Sequence, residues 1–113
     1  MVSDNEDWIV ETGHVVIEKM SAMGVASLSP IERLIYCLWV ADYGMRNAGD
    51  LAGGMQIHAE FQEEAARLSE KPGLEFTRES FSLPATVLQA EYFERFDRIC
   101  NEIKSAKGRL EPS

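Results

Sequence analysis

Apolar residues recur along this chain at intervals of three and four rather than two, and the spacing predicts helices throughout. The first follows Ser3, which with Glu6 has the spacing of a capping box, and carries Trp8, Ile9, Val15, Val16, Met20 and Met23 until Gly24 stops it. The second begins more explicitly. Ser29 stands as N-cap, Pro30 occupies the first helical position where no N–H is needed, and Glu32 lies three residues after the cap. Its stripe of Ile31, Leu34, Ile35, Leu38, Trp39 and Tyr43 is dense enough to be expected at the centre of the core.

A polar joint, Arg46 to Asp50, closes that helix, and Asp50 can cap a third running to about Glu70 through Leu51, Met55, His58, Phe61, Ala65 and Leu68. Gly53 and Gly54 together cost about 2 kcal/mol relative to alanines, so its first turns are expected to fray or to begin only near Met55. Lys71-Pro72-Gly73 stops it. The segments 74–77 and 79–83 alternate apolar and polar residues but are too short for a sheet, and read as an ordered connection held by Phe76 and Phe81. Ser82 or Pro84 then opens a last helix with Leu88, Tyr92, Phe96, Ile99 and Ile103 on one face, flanked by Val87, Phe93 and Cys100. The expectation is an all-α fold: a compact bundle of about four helices with an irregular connection before the last. It forms one domain over 1–113, with an ordered core from about 4 to 104 and a fraying tail from 105 to 113.

Composition sharpens this picture. With 113 residues and 45% hydrophobic content the chain can build one core but not two. Nineteen acids against eleven bases give a net charge of −8, which opposes direct binding to nucleic acid or anionic lipid and favours a basic partner. Residues 1 to 18 hold five acids and no base, while 95 to 109 hold five bases against two acids, so the two ends can attract one another. Cys37 and Cys100 sit inside apolar patterns as small hydrophobes. The acidic first residues are the opposite of a basic secretory region, and no apolar run approaches about 18 residues, so a cytoplasmic setting with reduced thiols is expected.

No motif of catalysis emerges. His58 and Glu60 have the spacing of a zinc deaminase without its Pro-Cys-x-x-Cys partner, and His14 with Glu18 reads as an ordinary pair on a helix face. Glu60, Glu63, Glu64 and Glu70, with Arg67 among them, read as a solvated acidic ridge rather than an acid and base pair. Cys37 has no histidine or base close in sequence to activate it. The glycines from Gly44 to Gly54 lack the strand and the Gly-Lys-Ser/Thr of a phosphate loop. No catalytic residue, cofactor or metal site is therefore expected.

Leu28-Ser29-Pro30-Ile31-Glu32-Arg33, then Asp42-Tyr43-Gly44-Met45-Arg46-Asn47-Ala48-Gly49-Asp50-Leu51, and later Tyr92-Phe93-Glu94-Arg95-Phe96-Asp97, resemble a bacterial family of small helical proteins. That family includes a DNA mimic which occupies the DNA-binding surface of a helix-turn-helix transcription regulator. The resemblance, over roughly residues 14 to 103, implies a helical fold and raises mimicry as a function. The family usually places Asn-Gly-Gly-aromatic after the helix; here the stretch reads Asn47-Ala48-Gly49-Asp50-Leu51, in which Asn47 and Gly49 can adopt left-handed conformations and the aromatic is missing.

Two classes of function follow. In the first, Asp4, Asp7, Glu11, Glu60, Glu63, Glu64 and Glu70 gather as an acidic face that binds a basic protein, either a DNA-binding regulator or a nuclease held as by an immunity partner. A homodimer is compatible with it. In the second, Tyr43, Arg46, Asn47 and Asp50 line a small-ligand pocket at the joint; the plainer role for Arg46 is a salt bridge to Asp42 or Asp50.

Overall fold

The computed structural model describes residues 4–110, with side chains through Gly108; the expected Ser3 cap lies outside this range. The described chain forms α1 (Asp4–Met23), a 3-10 turn (Val25–Ser27), α2 (Pro30–Ala48), α3 (Ala52–Met55), α4 (Phe61–Glu70), α5 (Glu75–Phe81) and α6 (Ala85–Leu110). There is no strand among the described residues. The fold is all-helical and compact, with a radius of gyration of 13.0 Å. No helix among the described residues is long and apolar enough to cross a membrane.

Helix α2 is the hub. Its capping box forms as its sequence requires: the Glu32 amide donates to Ser29 Oγ at 3.2 Å and the Ser29 amide to Glu32 Oε1 at 2.9 Å. Ile31, Leu34, Ile35, Leu38, Val40 and Ala41 are buried, each of the larger ones contributing about 1.5–3 kcal/mol by leaving water. Two members of the expected stripe differ. Trp39 is half-buried and Tyr43 exposed, because they lie on the outer side of α2 beside α1. At the far end Gly49 takes the left-handed conformation with φ 71° and returns its amide to Met45 O at 2.9 Å. Asn47 stays helical and donates to the Tyr43 carbonyl at 2.7 Å.

The expected third helix is two helices. Gly53 and Gly54 are helical in α3 rather than frayed, because they let its backbone cross that of α2. A Cβ on Gly54 would stand 2.7 Å from the Val40 carbonyl, and one on Gly44 2.7 Å from that of Asp50. The helix then breaks, as the Ile57 and His58 amides both turn back to the Gly54 carbonyl, and α4 starts only at Phe61.

The expected irregular connection is also helical. Helix α5 receives its N-terminal cap from α6: Glu102 accepts from the amides of Phe76 and Thr77, at 3.2 and 2.7 Å, and from the Thr77 hydroxyl at 2.7 Å. Helix α6 buries Leu88, Tyr92, Phe96, Ile99 and Ile103 as its spacing predicts. Of the tail expected from 105 to 113, residues 111–113 lie outside the described residues. Ala106 is fully buried and the helix continues to Leu110.

Candidate functional site

On α1, Asp4, Asp7, Glu11 and Glu18 recur at helical spacing and all are exposed, whereas Asn5, Ile9, Gly13 and Val16 face inward. The four carboxylates thus share one outer line of about 21 Å at 1.5 Å per residue. The bases nearest to it are already used. Lys19 turns to Glu32 at 2.9 Å, and Arg46 reaches from α2 to Glu6 at 2.5 Å. His14 is the one cationic type on the line, 3.4 Å from Glu18. Helices α1 and α6 do meet, but on the α1 side through uncharged groups: Asn5 accepts from Lys104 and donates to Asp97 at 3.0 Å, and Lys104 lies 5.2 Å from the Trp8 ring centroid, while Asp4, Asp7 and Glu11 remain exposed.

Beside α1 runs a row of rings on α2. Tyr36 and Trp39 stack at 6.5 Å, and Trp39 and Tyr43 at 5.5 Å. Gly13 makes the close approach of α1 to Trp39 possible. Tyr43 is 44% exposed, so the row ends in an accessible aromatic ring.

A second cluster joins α2 to α4. Glu64, expected on a solvated ridge, is only 8% exposed. It turns inward because its two oxygens receive Arg33, whose Nη2 lies 3.1 Å from Oε2 and whose Nε bonds Oε1, and His58 Nε2 at 2.5 Å from Oε2. Burial pushes the Glu64 carboxyl up, but these hydrogen bonds outweigh it and hold the group below its ordinary value. Cys37 lies against the same group, with one ligand atom each of Cys37, His58 and Glu64 within 4.8 Å of one another. Burial, reinforced by the Glu64 charge, pushes the Cys37 thiol up to about 12, the opposite of an activated nucleophile. Sequence reasoning missed this cluster because its histidine comes from the turn between α3 and α4, far from Cys37 along the chain.

The joint after α2 satisfies its own polar groups. Arg46 donates to both oxygens of Asp42 at 3.0 Å and lies 5.1 and 4.9 Å from the rings of Phe93 and Phe96. Asn47 is spent on the Tyr43 carbonyl, and Asp50 accepts from the Gly53 amide at 3.2 Å as a cap for α3. Arg46, Asn47 and Asp50 are thus each engaged within the joint. Two cavities lie away from the joint: an apolar cleft of about 210 Å³ at Pro30, Ile31, Leu68 and Pro72, and a wider one of about 540 Å³ between α4 and the start of α6.

The expected acidic residues fall into two areas. Glu60, Glu63 and Glu70 are exposed on and before α4, with Arg67 and Lys71 among them; Asp4, Asp7 and Glu11 are on α1. These helices pack on different sides of α2. Glu32, Trp39 and Arg46 point to α1, while Arg33 and Cys37 point to α4, roughly 120° round the helix. Compared with protein-family models, with curated proteins and with solved structures, the chain matches none. What bears on function is the surface chemistry of the chain itself.

Proposed function

We propose that this chain is a cytoplasmic interaction module that binds a basic protein surface through the acidic face of α1. The observation that supports this most strongly is the line Asp4, Asp7, Glu11 and Glu18: four exposed carboxylates with no Lys or Arg among residues 4–18, beside bases committed to internal pairs. Such a line raises the association rate of a basic partner and loses its effect as salt screens it, over about 8 Å at physiological ionic strength. Tyr43 and Trp39 add a surface on which a partner arginine can stack.

DNA mimicry toward a transcription regulator is the narrower form of the same proposal. One strand of duplex presents about six phosphates over 21 Å, at 3.4 Å per charge. Four carboxylates over that length approach one strand, not a duplex, so the partner would be held through a single basic groove wall or helix. Blocking a basic nuclease makes the same demand. Glu60, Glu63 and Glu70 form a second acidic area that a large partner can reach round α2.

Affinity capture from the source cell's lysate with tagged protein, eluted by rising salt, tests the proposal. Release of a specific basic protein at moderate salt supports it, and the nature of that protein separates mimicry from nuclease inhibition. Retention of nothing specific at low salt refutes it.

A further inference from the structure

The cluster of Cys37, His58 and Glu64 has a composition that internal ion pairing does not require. Arg33 alone would neutralise Glu64, yet a thiol and an imidazole also converge on it, from α2 and from the α3–α4 turn. Sulfur, nitrogen and carboxylate oxygen within 4.8 Å of one another is the donor set of a zinc site with three protein ligands and an open fourth position. We propose that Cys37, His58 and Glu64 bind a divalent zinc ion, with Arg33 orienting the Glu64 carboxylate from outside.

Between His58 and Glu64 the ion requires only a small opening. Tetrahedral bonds of about 2.0–2.1 Å to nitrogen and oxygen place those two atoms roughly 3.3 Å apart, and His58 Nε2 and Glu64 Oε2 now stand at 2.5 Å. The opening needed is under an ångström. His58 can supply it because it lies in the turn at 56–60, between helices, where Ile57 and Ala59 on either side of it are exposed. Cys37 and Glu64, by contrast, are buried and fixed on α2 and α4. His58 is the partly exposed member, at 21% of its side chain, and so marks the side by which an ion enters, with the Tyr36 ring 6.0 Å away as a wall.

Coordination replaces the Cys37 S–H bond by an S–Zn bond and releases one proton to solvent. Thiolate and carboxylate then cancel the charge of the ion, and Arg33 keeps its own charge on a side chain that is 24% exposed. Arginine hydrogen-bonded to a ligating carboxylate is an ordinary way of holding such a ligand in place.

Titration of the full chain with cobalt(II), a spectroscopic stand-in for zinc, tests the site. The expected result is a near-ultraviolet thiolate-to-cobalt band with visible absorption of tetrahedral strength, saturating at equimolar metal and abolished by added zinc. Cys37→Ser should remove the ultraviolet band and Cys100→Ser should leave it. Because Cys37 is buried, His58→Ala on the exposed turn is the second variant: it should keep the helical circular dichroism and lose tight binding. A wild-type spectrum that stays that of hydrated cobalt, or a thiolate band unchanged in Cys37→Ser or His58→Ala, overturns the proposal.

Discussion

Gly13 of α1 lies so close to Trp39 of α2 that a Cβ on it would stand 2.4 Å from the indole Cδ1. The contact seats α1, and with it the acidic line, against the hub of the fold. Gly13→Ala gains about 1 kcal/mol of helix propensity but overpacks a site where such insertions cost about 1–3 kcal/mol. The expected net effect is a modest loss of stability in urea, with a changed Trp39 fluorescence as the ring is displaced. An increase in stability would show that the two helices are not in this contact.

Asp42 is buried and held by the Tyr92 hydroxyl at 2.8 Å and by Arg46. Tyr92→Phe removes one bond and should cost about 1–3 kcal/mol. Asp42→Ala leaves the Tyr92 hydroxyl without its partner and Arg46 with Glu6 alone, and should cost more, about 3 kcal/mol. Urea unfolding of the two variants checks the order. Equal losses would mean that the Tyr92 bond carries the whole contribution of Asp42 and that its pair with Arg46 adds nothing.

The carboxyl of Glu32 is pushed up by burial but held below its ordinary 4.5 by the Ser29 amide and by Lys19. A depressed folded value means that its contribution to stability is present above 4.5 and is lost as pH falls through the lowered value. Glu32→Gln should therefore be less stable than wild type at neutral pH, with the difference shrinking in acid. Asp42 runs the other way: burial outweighs Tyr92 and Arg46 and raises its carboxyl, so its ionisation opposes folding as pH rises through that value. Melting temperatures of wild type and Glu32→Gln across the acid range separate the two effects, and a difference that persists unchanged in acid contradicts the assignment to Glu32.

Cys37 and Cys100 are both free, fully buried and pushed up to about 12 by burial. A thiol reagent should label neither in the folded protein and both on addition of denaturant. Rapid labelling of Cys37 under native conditions would place it at the surface.

The helices that carry their own caps were legible in the sequence. Ser29, Pro30 and Glu32 announce α2 because every group that starts it is local, and the stripe of α6 follows from spacing alone. What was not legible depends on distant partners. Helix α5 looked like a connection because its cap, Glu102, comes from another helix. Glu64 looked solvated because Arg33 and His58 arrive from elsewhere in the chain to satisfy it. Gly53 and Gly54 looked like fraying, since propensity says nothing of the α2 backbone they approach. Asp4, Asp7 and Glu11 were expected to share one face with Glu60, Glu63 and Glu70, and the separation of α1 from α4 by α2 that divides them is a property of packing.

Charge reversal on that line is the sharpest test of the central claim. Asp7 and Glu11 are exposed, so Asp7→Lys with Glu11→Lys should leave the fold intact, at a cost of about 1 kcal/mol from placing a cation in the first turn of α1. Quantitative capture from the same lysate, wild type beside the double variant, then reads function alone. The basic partner should be lost from the variant at salt concentrations where wild type retains it. Equal recovery of that partner by both proteins would contradict the claim.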